Sequence, residues 1–278
     1  MINNKTQLNL VIGNPLDHTK SPILHNLIYR ALNCNAVLLA HATNDLPTTM
    51  SALKTFSVAL TAVTMPYKEA ILPYLDCISP EVKELHAANT IIRHNEKLTG
   101  YNTDIDGIAY ALRNITLPNK NVLIIGAGGA SRAAAYYLKK NNATILWLNR
   151  TPQHLLPLIE KFGGTIADLK QLDSYPIDII INTTPLGMFP HINVSPLPNY
   201  YFKADQIIFD MVYNPLETLL IQNAKEKNAI CISGIDMFIG QGIKQIELWL
   251  NKPIMTPDLI DSVKKELCSS LNKPMELI

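Results

Sequence analysis

The sequence has no excess of charge of either sign, few cysteines and no long apolar run, and each absence excludes a class of protein. Its 278 residues include 24 Lys and Arg against 23 Asp and Glu, a net charge of +1. Surfaces that bind nucleic acid or anionic membranes carry an excess of basic residues, so we expect neither partner. No apolar run approaches the roughly 20 residues that a membrane-spanning helix needs, and the first residues show no apolar core of an export signal. We therefore expect a cytoplasmic protein with a small-molecule partner.

Cysteine and histidine are too scattered to indicate a metal or disulfide site. The four cysteines include no Cys-x-x-Cys pair, so neither a disulfide framework nor a zinc site is indicated. We expect all four to be small buried apolar side chains. The seven histidines include no His-x-x-x-His pair, which a helical metal site would need. No metal dependence is expected.

Apolar runs typical of strands alternate with helical patterns along the whole chain, which predicts an α/β fold with a mostly parallel sheet. The pattern restarts near residue 104 after one complete unit. We predict two domains: an N-terminal α/β domain of residues 1–103 plus 237–278, and a Rossmann-type doubly wound nucleotide-binding domain of residues 104–236.

Turn residues divide both predicted domains into elements. In the first domain we predict strands at 8–12, 36–40 and 60–64 and a hairpin of 90–93 with 98–101. Ser21 and Pro22 are expected to be the N-cap and first residue of the first helix. The second domain is predicted to contain strands at 122–125, 145–148, 177–181, 207–211 and 230–232, with helices at 104–113, 131–140, 152–162 and 216–227. A last helix is predicted at 257–271.

A glycine-rich turn follows the strand 122–125 directly and leads into the helix that begins at Ser131. The turn consists of Gly126, Ala127, Gly128, Gly129 and Ala130. Backbone N–H groups of such a turn, together with the helix N-terminus, can bind the pyrophosphate of a dinucleotide. Ser131 occupies the position of a common third glycine, where a small side chain suffices for close helix–strand packing. A tight turn without a ligand is the alternative.

The residues after the next predicted strand indicate which dinucleotide binds. NAD sites usually have an acidic residue about 20 positions after the glycine-rich turn, where it binds the ribose 2′-hydroxyl. Asn149, Arg150 and Thr151 occupy that position here. Because no carboxylate repels a 2′-phosphate and a guanidinium can bind it, NADP is the expected cofactor. A surface arginine without a ligand is the alternative.

Seven polar motifs, in order along nearly the whole chain, resemble the shikimate dehydrogenase family. They lie at residues 13–22, 63–68, 88–90, 100–107, 182–188, 210–218 and 234–241. The resemblance implies a substrate-binding first domain beside the nucleotide-binding domain. It also implies NADPH-dependent, reversible reduction of 3-dehydroshikimate to shikimate in aromatic amino-acid biosynthesis.

The resemblance implies roles for individual residues. Lys68 and Asp104 match the family's catalytic lysine and aspartate. The positions that match substrate-binding residues are Thr19, Ser21, Thr64, Asn89, Tyr213 and Gln241. The positions that match loops beside the cofactor are Thr184, Met211 and Gly234. Considered alone, Asp104 would be a helix N-cap and Lys68 a surface lysine.

The sequence departs from the family pattern at three places. Ala62 replaces an asparagine, which removes an amide that could position neighbouring groups. Gly242 and Ile243 replace two alanines after Gln241, and His154 occupies a position of the NADP loop that is often basic. We expect the first departure to affect substrate preference or rate, and the others to affect packing near Gln241 and binding of the 2′-phosphate.

The implied reaction needs a hydride, a proton for the carbonyl oxygen, and donors for the charge that develops there. We expect Lys68 to transfer the proton and Asp104 to orient Lys68 and a substrate hydroxyl. The reverse assignment, with Asp104 in the larger proton-transfer role, stays open. A dry cleft would lower the pKa of the lysine and the adjacent carboxylate would raise it, so the sequence leaves that balance open.

Two other functions and the state of assembly also stay open. A quinate/shikimate dehydrogenase that uses both NAD and NADP shares the Lys–Asp pair, and Thr19 and Ala62 are compatible with it. The absence of an acidic residue at positions 149–151 counts against NAD. A non-catalytic NADP-binding regulatory paralogue would not require the proton-transfer pair. No sustained heptads indicate a coiled coil, and a monomer or homodimer is expected.

Overall fold

The computed structural model describes residues 2–271, which form two compact units. Unit 1 comprises residues 2–104 and 239–271, and unit 2 comprises residues 105–238. The predicted domains divide after residues 103 and 236, and Met1 and residues 272–278 of the predicted first domain lie outside the described residues. Each unit contains a six-stranded sheet with helices, so the predicted α/β fold class is confirmed.

Unit 1 begins with strands that alternate with short helices. Its elements up to residue 101 are β1 (Gln7–Gly13), α1 (Ser21–Ala31), β2 (Ala36–Ala42), α2 (Leu46–Thr55), β3 (Leu60–Val63), α3 (Tyr67–Ala70), β4 (Cys77–Ile78), α4 (Pro80–Leu85), β5 (Thr90–His94) and β6 (Lys97–Tyr101). The strands form a mixed sheet in the order β2-β1-β3-β5-β6-β4. β1 pairs in parallel with β2 and β3, whereas β5 and β6 form the predicted antiparallel hairpin. The carboxyl ends of β1 and β3 therefore lie at the same edge.

Unit 2 has an all-parallel sheet. The chain continues through α5 (Asp104–Ala111), β7 (Asn121–Ile125), α6 (Gly129–Lys140), β8 (Thr144–Leu148), α7 (Leu156–Phe162), β9 (Thr165–Ile166), β10 (Ile179–Asn182), β11 (Ile207–Asp210), α8 (Leu219–Lys225) and β12 (Ile230–Ser233). The strand order β12-β11-β10-β7-β8-β9 reverses direction at β7. Ligands of doubly wound folds bind at the carboxyl ends of the strands where the order reverses. The predicted glycine-rich turn follows β7 and so lies at that point.

The last two helices among the described residues are α9 (Gly234–Leu250) and α10 (Pro257–Leu271). α10 packs against α1, and its Glu266 lies 3.7 Å from Arg30. α9 approaches α1 closely at Gly242, because a β-carbon there would come within 2.5 Å of Leu24 Cδ2. The glycine that replaces a family alanine at this position is therefore matched to the packing of its neighbour.

Three local expectations are wrong. Ser21 is the first residue of α1 rather than its N-cap; Lys20 occupies the cap position without a side-chain hydrogen bond, and the Ser21 hydroxyl faces Thr19 instead. Cys77 is exposed because β4 is a two-residue strand at the sheet edge, and the other three cysteines are only partly buried. In place of the predicted helix 216–227, α8 spans only Leu219–Lys225. It begins later because Thr218 caps it by accepting a hydrogen bond from the Ile221 N–H.

Candidate active site

The structure brings Lys68 and Asp104 into direct contact in unit 1. Lys68 lies in α3, just after β3, and Asp104 is the first residue of α5, just after β6. Lys68 Nζ donates a hydrogen bond to Asp104 Oδ2 at 2.6 Å. The side chain of Asp104 is 8% exposed and that of Lys68 is 22% exposed. The carboxylate is therefore enclosed while the ammonium keeps access to a ligand, and a charge-assisted bond this short orients the ammonium.

Asn89 supports the second oxygen of the same carboxylate. It lies directly before β5, and its Nδ2 donates to Asp104 Oδ1 at 2.8 Å. The Asn89 Oδ1 accepts from the Thr103 N–H at 2.8 Å. The Asp104 N–H donates to Asn102 Oδ1 at 3.2 Å. The residue after β6 thus holds the backbone of Asp104, while Asn89 and Lys68 each hold one oxygen of its carboxylate.

Thr19, Ser21 and Thr64 follow the neighbouring carboxyl ends of β1 and β3. The hydroxyls of Thr19 and Ser21 lie 3.4 Å apart, and all three side chains are partly buried. Two adjacent hydroxyls that keep some exposure can donate to the oxygens of a carboxylate. The loss of the predicted N-cap role leaves the Ser21 hydroxyl available for such a ligand.

A buried series of polar side chains continues from Asn89, and the sequence patterns assign it no role. It consists of Thr90, Gln245 on α9 and His25 on α1. Burial lowers the pKa of His25 from 6.5 to about 4, although its contacts with the Ser21 carbonyl and the Gln245 side chain act in the opposite direction. One signal was available: Gln245 lies four residues after Gln241, on the same helix face.

In unit 2, two glycines of the predicted turn serve different purposes. Gly126 has a φ of +119°, and a β-carbon there would lie 2.5 Å from Thr183 Oγ1. Glycine is therefore required at this position by the fold itself. At Gly128 a β-carbon would meet no heavy atom within 4 Å. That open space beside the start of α6 leaves room for a phosphate group to approach the backbone.

Hydrogen bonds hold the turn in shape. The Gly128 N–H donates to Ser131 Oγ at 3.1 Å. Thr183 Oγ1 donates to the Ile125 carbonyl at 2.7 Å, so Ser131 is the donor in its own 2.6 Å contact with Thr183. The fully buried serine at the position of a third glycine thus joins the turn to the loop after β10.

The residues after β8 fit the phosphate of NADP. β8 pairs in parallel with β7, with Leu148 opposite Ile125, so the two strands end at the same edge. Asn149 Nδ2 donates to the Thr151 carbonyl at 2.8 Å, which shapes this loop. Arg150 is exposed between them, and His154 is exposed in the 3-10 turn Pro152–Leu155. A guanidinium without a carboxylate in residues 149–151 suits a 2′-phosphate.

A buried carboxyl group connects the loops after β10 and β11. Asp210 accepts hydrogen bonds from Asn182 Nδ2 at 2.9 Å and Thr218 Oγ1 at 2.5 Å. Burial raises the pKa of Asp210 from 3.8 to about 6, although these bonds lower it. Asn182 Oδ1 in turn accepts from the N–H and the hydroxyl of Thr184. The predicted cofactor residue Thr184 is therefore held by this pair.

The other predicted residues occupy defined positions in their own units. A β-carbon at Gly234 would lie 2.4 Å from the Met211 carbonyl oxygen, so these two residues are in close contact. Tyr213 stacks on Phe238 at a centroid distance of 4.2 Å. Gln241 lies in α9 and is partly buried.

Residues 2–271 contain neither a candidate metal site nor a candidate membrane-spanning helix. No three His, Cys, Asp or Glu side chains in that range are grouped so as to hold a metal ion. No helix within it has the length and apolar character needed to cross a bilayer.

Together, a doubly wound unit with a dinucleotide turn and a lysine–aspartate pair define the class of a dinucleotide-dependent oxidoreductase. Residues 11–91 match the family model of the shikimate dehydrogenase substrate binding domain, and residues 109–187 match that of shikimate / quinate 5-dehydrogenase. The chain belongs to the shikimate dehydrogenase family, which confirms the resemblance found in the sequence.

Individual relatives match over nearly their whole length. The chain is 38% identical over 260 residues to shikimate dehydrogenase (NADP(+)) of Carboxydothermus hydrogenoformans, covering 89% of this chain and 93% of that protein. A crystal structure of a shikimate dehydrogenase in complex with NADP+ has a TM-score of 0.87 at 34% identity, covering 98% of each chain. The Thermus thermophilus enzyme in complex with NADP(H) and shikimate has a TM-score of 0.85 at 30% identity, covering 94% of this chain and all of that one.

Proposed function

We propose that this chain catalyses the reversible NADPH-dependent reduction of 3-dehydroshikimate to shikimate, a step of aromatic amino-acid biosynthesis. The observation that carries the proposal is the 2.6 Å contact between Lys68 and the enclosed Asp104 carboxylate. A nucleotide-binding fold alone would not need this pair. Two of the relatives named above, the Carboxydothermus hydrogenoformans enzyme at 38% identity and the shikimate dehydrogenase solved with NADP+ at 34% identity, support the same reaction.

The two charged residues divide the proton chemistry. NADPH, when bound, supplies the hydride for the carbonyl carbon. Lys68 Nζ, as an ammonium, donates a proton to the carbonyl oxygen as it gains negative charge, and takes one from the hydroxyl in the reverse direction. Asp104 keeps Lys68 in place and accepts a hydrogen bond from a substrate hydroxyl. Its own position is set by Asn89, so it acts mainly through orientation.

The remaining predicted residues recognise the substrate. Thr19 and Ser21 donate to its carboxylate, in keeping with their adjacent hydroxyls. Side chains that can bind its ring hydroxyls are Thr64, Asn89, Tyr213 and Gln241. The hydroxyl and amide side chains of unit 1 suit a small acid with several hydroxyl groups.

The cofactor residues belong to four segments of unit 2. The turn from Gly126 to Ala130 would hold the pyrophosphate through backbone N–H groups at the start of α6. Asn149, Arg150 and Thr151 would hold the adenosine ribose and its 2′-phosphate. The remaining contacts would come from Thr184, Met211 and Gly234, which border the strand ends.

A direct assay tests the proposal. Purified protein is mixed with shikimate and NADP, and formation of NADPH is followed by its absorbance. We expect turnover that depends on both compounds. No absorbance change with NADP and any cyclitol acid would overturn the proposal and favour a non-catalytic regulatory protein.

Dual use of quinate and NAD is the second candidate function. Ala62, a buried position where the family has asparagine, favours it because substrate preference could differ there. Initial rates with shikimate and quinate, each with NADP and NAD, separate the two candidates. The primary proposal requires the shikimate and NADP pair to be used most efficiently.

We also propose a cytoplasmic location and a monomer or homodimer. Size-exclusion chromatography with light scattering should give a mass of 30.9 kDa or twice that value. A larger assembly would contradict this expectation.

A further inference from the structure

We propose that Gln245 is a positioning residue for this reaction, acting through Thr90 and Asn89 on the Lys68–Asp104 pair. The inference rests on the proposed function. Gln245 is 2% exposed and lies between the fully buried Ile243 and Ile246 on α9. A buried amide without hydrogen-bond partners would destabilise the fold, so the partners of the Gln245 amide indicate what it holds.

The donor side of the amide leads toward the catalytic pair. Gln245 Nε2 donates to Thr90 Oγ1 at 2.9 Å and to the Asn89 carbonyl at 3.2 Å. Thr90 Oγ1 then donates to Asn89 Oδ1 at 2.7 Å. Because the Asn89 oxygen is held in this way, its Nδ2 is directed at Asp104 Oδ1. Gln245 is thus connected to the carboxylate by a continuous series of hydrogen bonds.

The acceptor side of the amide leads toward the proposed carboxylate site. Gln245 Oε1 lies 2.9 Å from His25 Nε2, and the other ring nitrogen of His25 lies 2.9 Å from the Ser21 carbonyl oxygen. His25 is fully buried. One glutamine therefore joins the start of α1, where Thr19 and Ser21 lie, to the strand end that holds Asp104.

Gln245 on α9 places its amide on Thr90, opposite Ala62 of β3, a position that has no side-chain amide of its own. Ala62 pairs directly with Thr90 in the antiparallel ladder of β3 and β5. Residues directly opposite in such a ladder project to the same face, with β-carbons about 5 Å apart. Ala62 stands where the family has asparagine, so that face has no amide from β3. Gln245 supplies an amide to the same Thr90 from a different element.

The test moves the amide between the two positions. Steady-state kinetics with shikimate and NADP are measured for the wild type, Gln245→Ala and the double variant Ala62→Asn/Gln245→Ala. Gln206→Ala is the matched control, because Gln206 is also 2% exposed and donates to two oxygens, but in unit 2. Melting temperatures are recorded for all four proteins.

We expect Gln245→Ala to lower kcat about tenfold, since misplacement of reacting groups by less than 1 Å has effects of this order, while KM for NADP stays within twofold. Gln206→Ala should lower the melting temperature but leave kcat within twofold. The double variant should recover at least a third of the wild-type kcat. Recovery distinguishes positioning from a general loss of stability.

Two outcomes would overturn the inference: a Gln245→Ala kcat within twofold of the control variant, or no recovery on adding Asn at position 62. Should Gln245→Ala fail to fold, Gln245→Met keeps the side-chain length without the polar atoms, and the same kcat comparison decides. An inactive wild type would instead refute the proposed function.

Discussion

The two units build their polar sites in different ways. In unit 1 the site consists of side chains that meet across long stretches of sequence: Gln245 and Thr90 are 155 residues apart, and Lys68 and Asp104 are 36 apart. In unit 2 the turn from Gly126 to Ser131 is one continuous segment. The difference follows from chemistry, because proton transfer needs positioned side chains, whereas phosphate binding can use backbone N–H groups.

Buried titratable groups differ between the units as well. Unit 1 buries the His25 imidazole, and unit 2 buries the Asp210 carboxyl, and both are fully enclosed. Burial favours the neutral form in each case, so it lowers the pKa of the base and raises that of the acid. A fall in pH therefore lowers the stability contributed by His25 in unit 1 and raises the stability contributed by Asp210 in unit 2.

The largest expected effect is that of substituting the lysine of unit 1. Lys68→Ala is expected to lower kcat by about a hundredfold or more, the usual scale for a positioned acid–base group. The Kd for NADPH should change little, because the proposed cofactor residues lie in unit 2. Turnover and fluorescence titration measure the two quantities. Near-normal turnover would show that Lys68 does not transfer the proton.

The next largest effect concerns stability in acid. The pKa of His25 is about 4 when folded against 6.5 when unfolded, so its contribution to the free energy of unfolding falls by about 3 kcal/mol as the pH drops through this range. The pKa of Asp210 is about 6 when folded against 3.8. Its contribution therefore rises by about 3 kcal/mol as the pH drops from 6 to below 4.

Variants separate these opposing contributions. Urea unfolding is measured between pH 4 and 7 for the wild type, Asp210→Asn and His25→Gln, with attention to the slope against pH. Asp210→Asn should lose stability toward acid more steeply than the wild type, and His25→Gln less steeply. Parallel curves for all three proteins would contradict the burial argument.

Cofactor selection is expected to depend on unit 2 alone. Arg150→Ala should weaken binding of NADPH about tenfold, the loss of one charge-assisted contact, without a comparable loss for NADH. Lys139→Ala is the control, because it removes an exposed positive charge from α6 of the same unit. Equal losses for NADPH and NADH would place the 2′-phosphate elsewhere.

The smallest effects are expected within the glycine-rich turn. Gly128→Ala should change the free energy of unfolding by less than about 0.5 kcal/mol, because its methyl group meets no atom. Binding of NADP should nevertheless weaken. Gly126→Ala, at a φ of +119°, should cost about 1 kcal/mol or more in stability. Unchanged NADP binding by Gly128→Ala would indicate a turn without a ligand.

Sequence patterns predicted unit 2 well because its signals are local. The strand 122–125, the turn and α6 are contiguous, and each follows from apolar runs and small residues. The prediction that Ser21 is the N-cap of α1 failed because the N-cap is decided by where the preceding loop ends. That loop ends at Lys20, so Ser21 is already helical. Cys77 was misjudged because edge position, not residue type, decided its exposure.

For unit 1, the candidate residues came from resemblance, and their arrangement came from the structure. Lys68 alone would be a surface lysine, and nothing local to it indicates that Asp104 lies 2.6 Å away. Gln245 received no role, because its neighbours in sequence are apolar residues of a helix. Its partners are strand residues far away along the chain.

Patterns of neighbouring residues were enough to predict the α/β class, the glycine-rich turn and a loop without a carboxylate after the second strand of unit 2. Such features depend on neighbouring residues, through side-chain alternation and the backbone angles that glycine permits. Which polar side chains meet, and which titratable groups are enclosed, follows from the three-dimensional packing. Hydrogen bonding of Gln245 and the raised pKa of Asp210 depend on packing between distant segments, which local sequence does not encode.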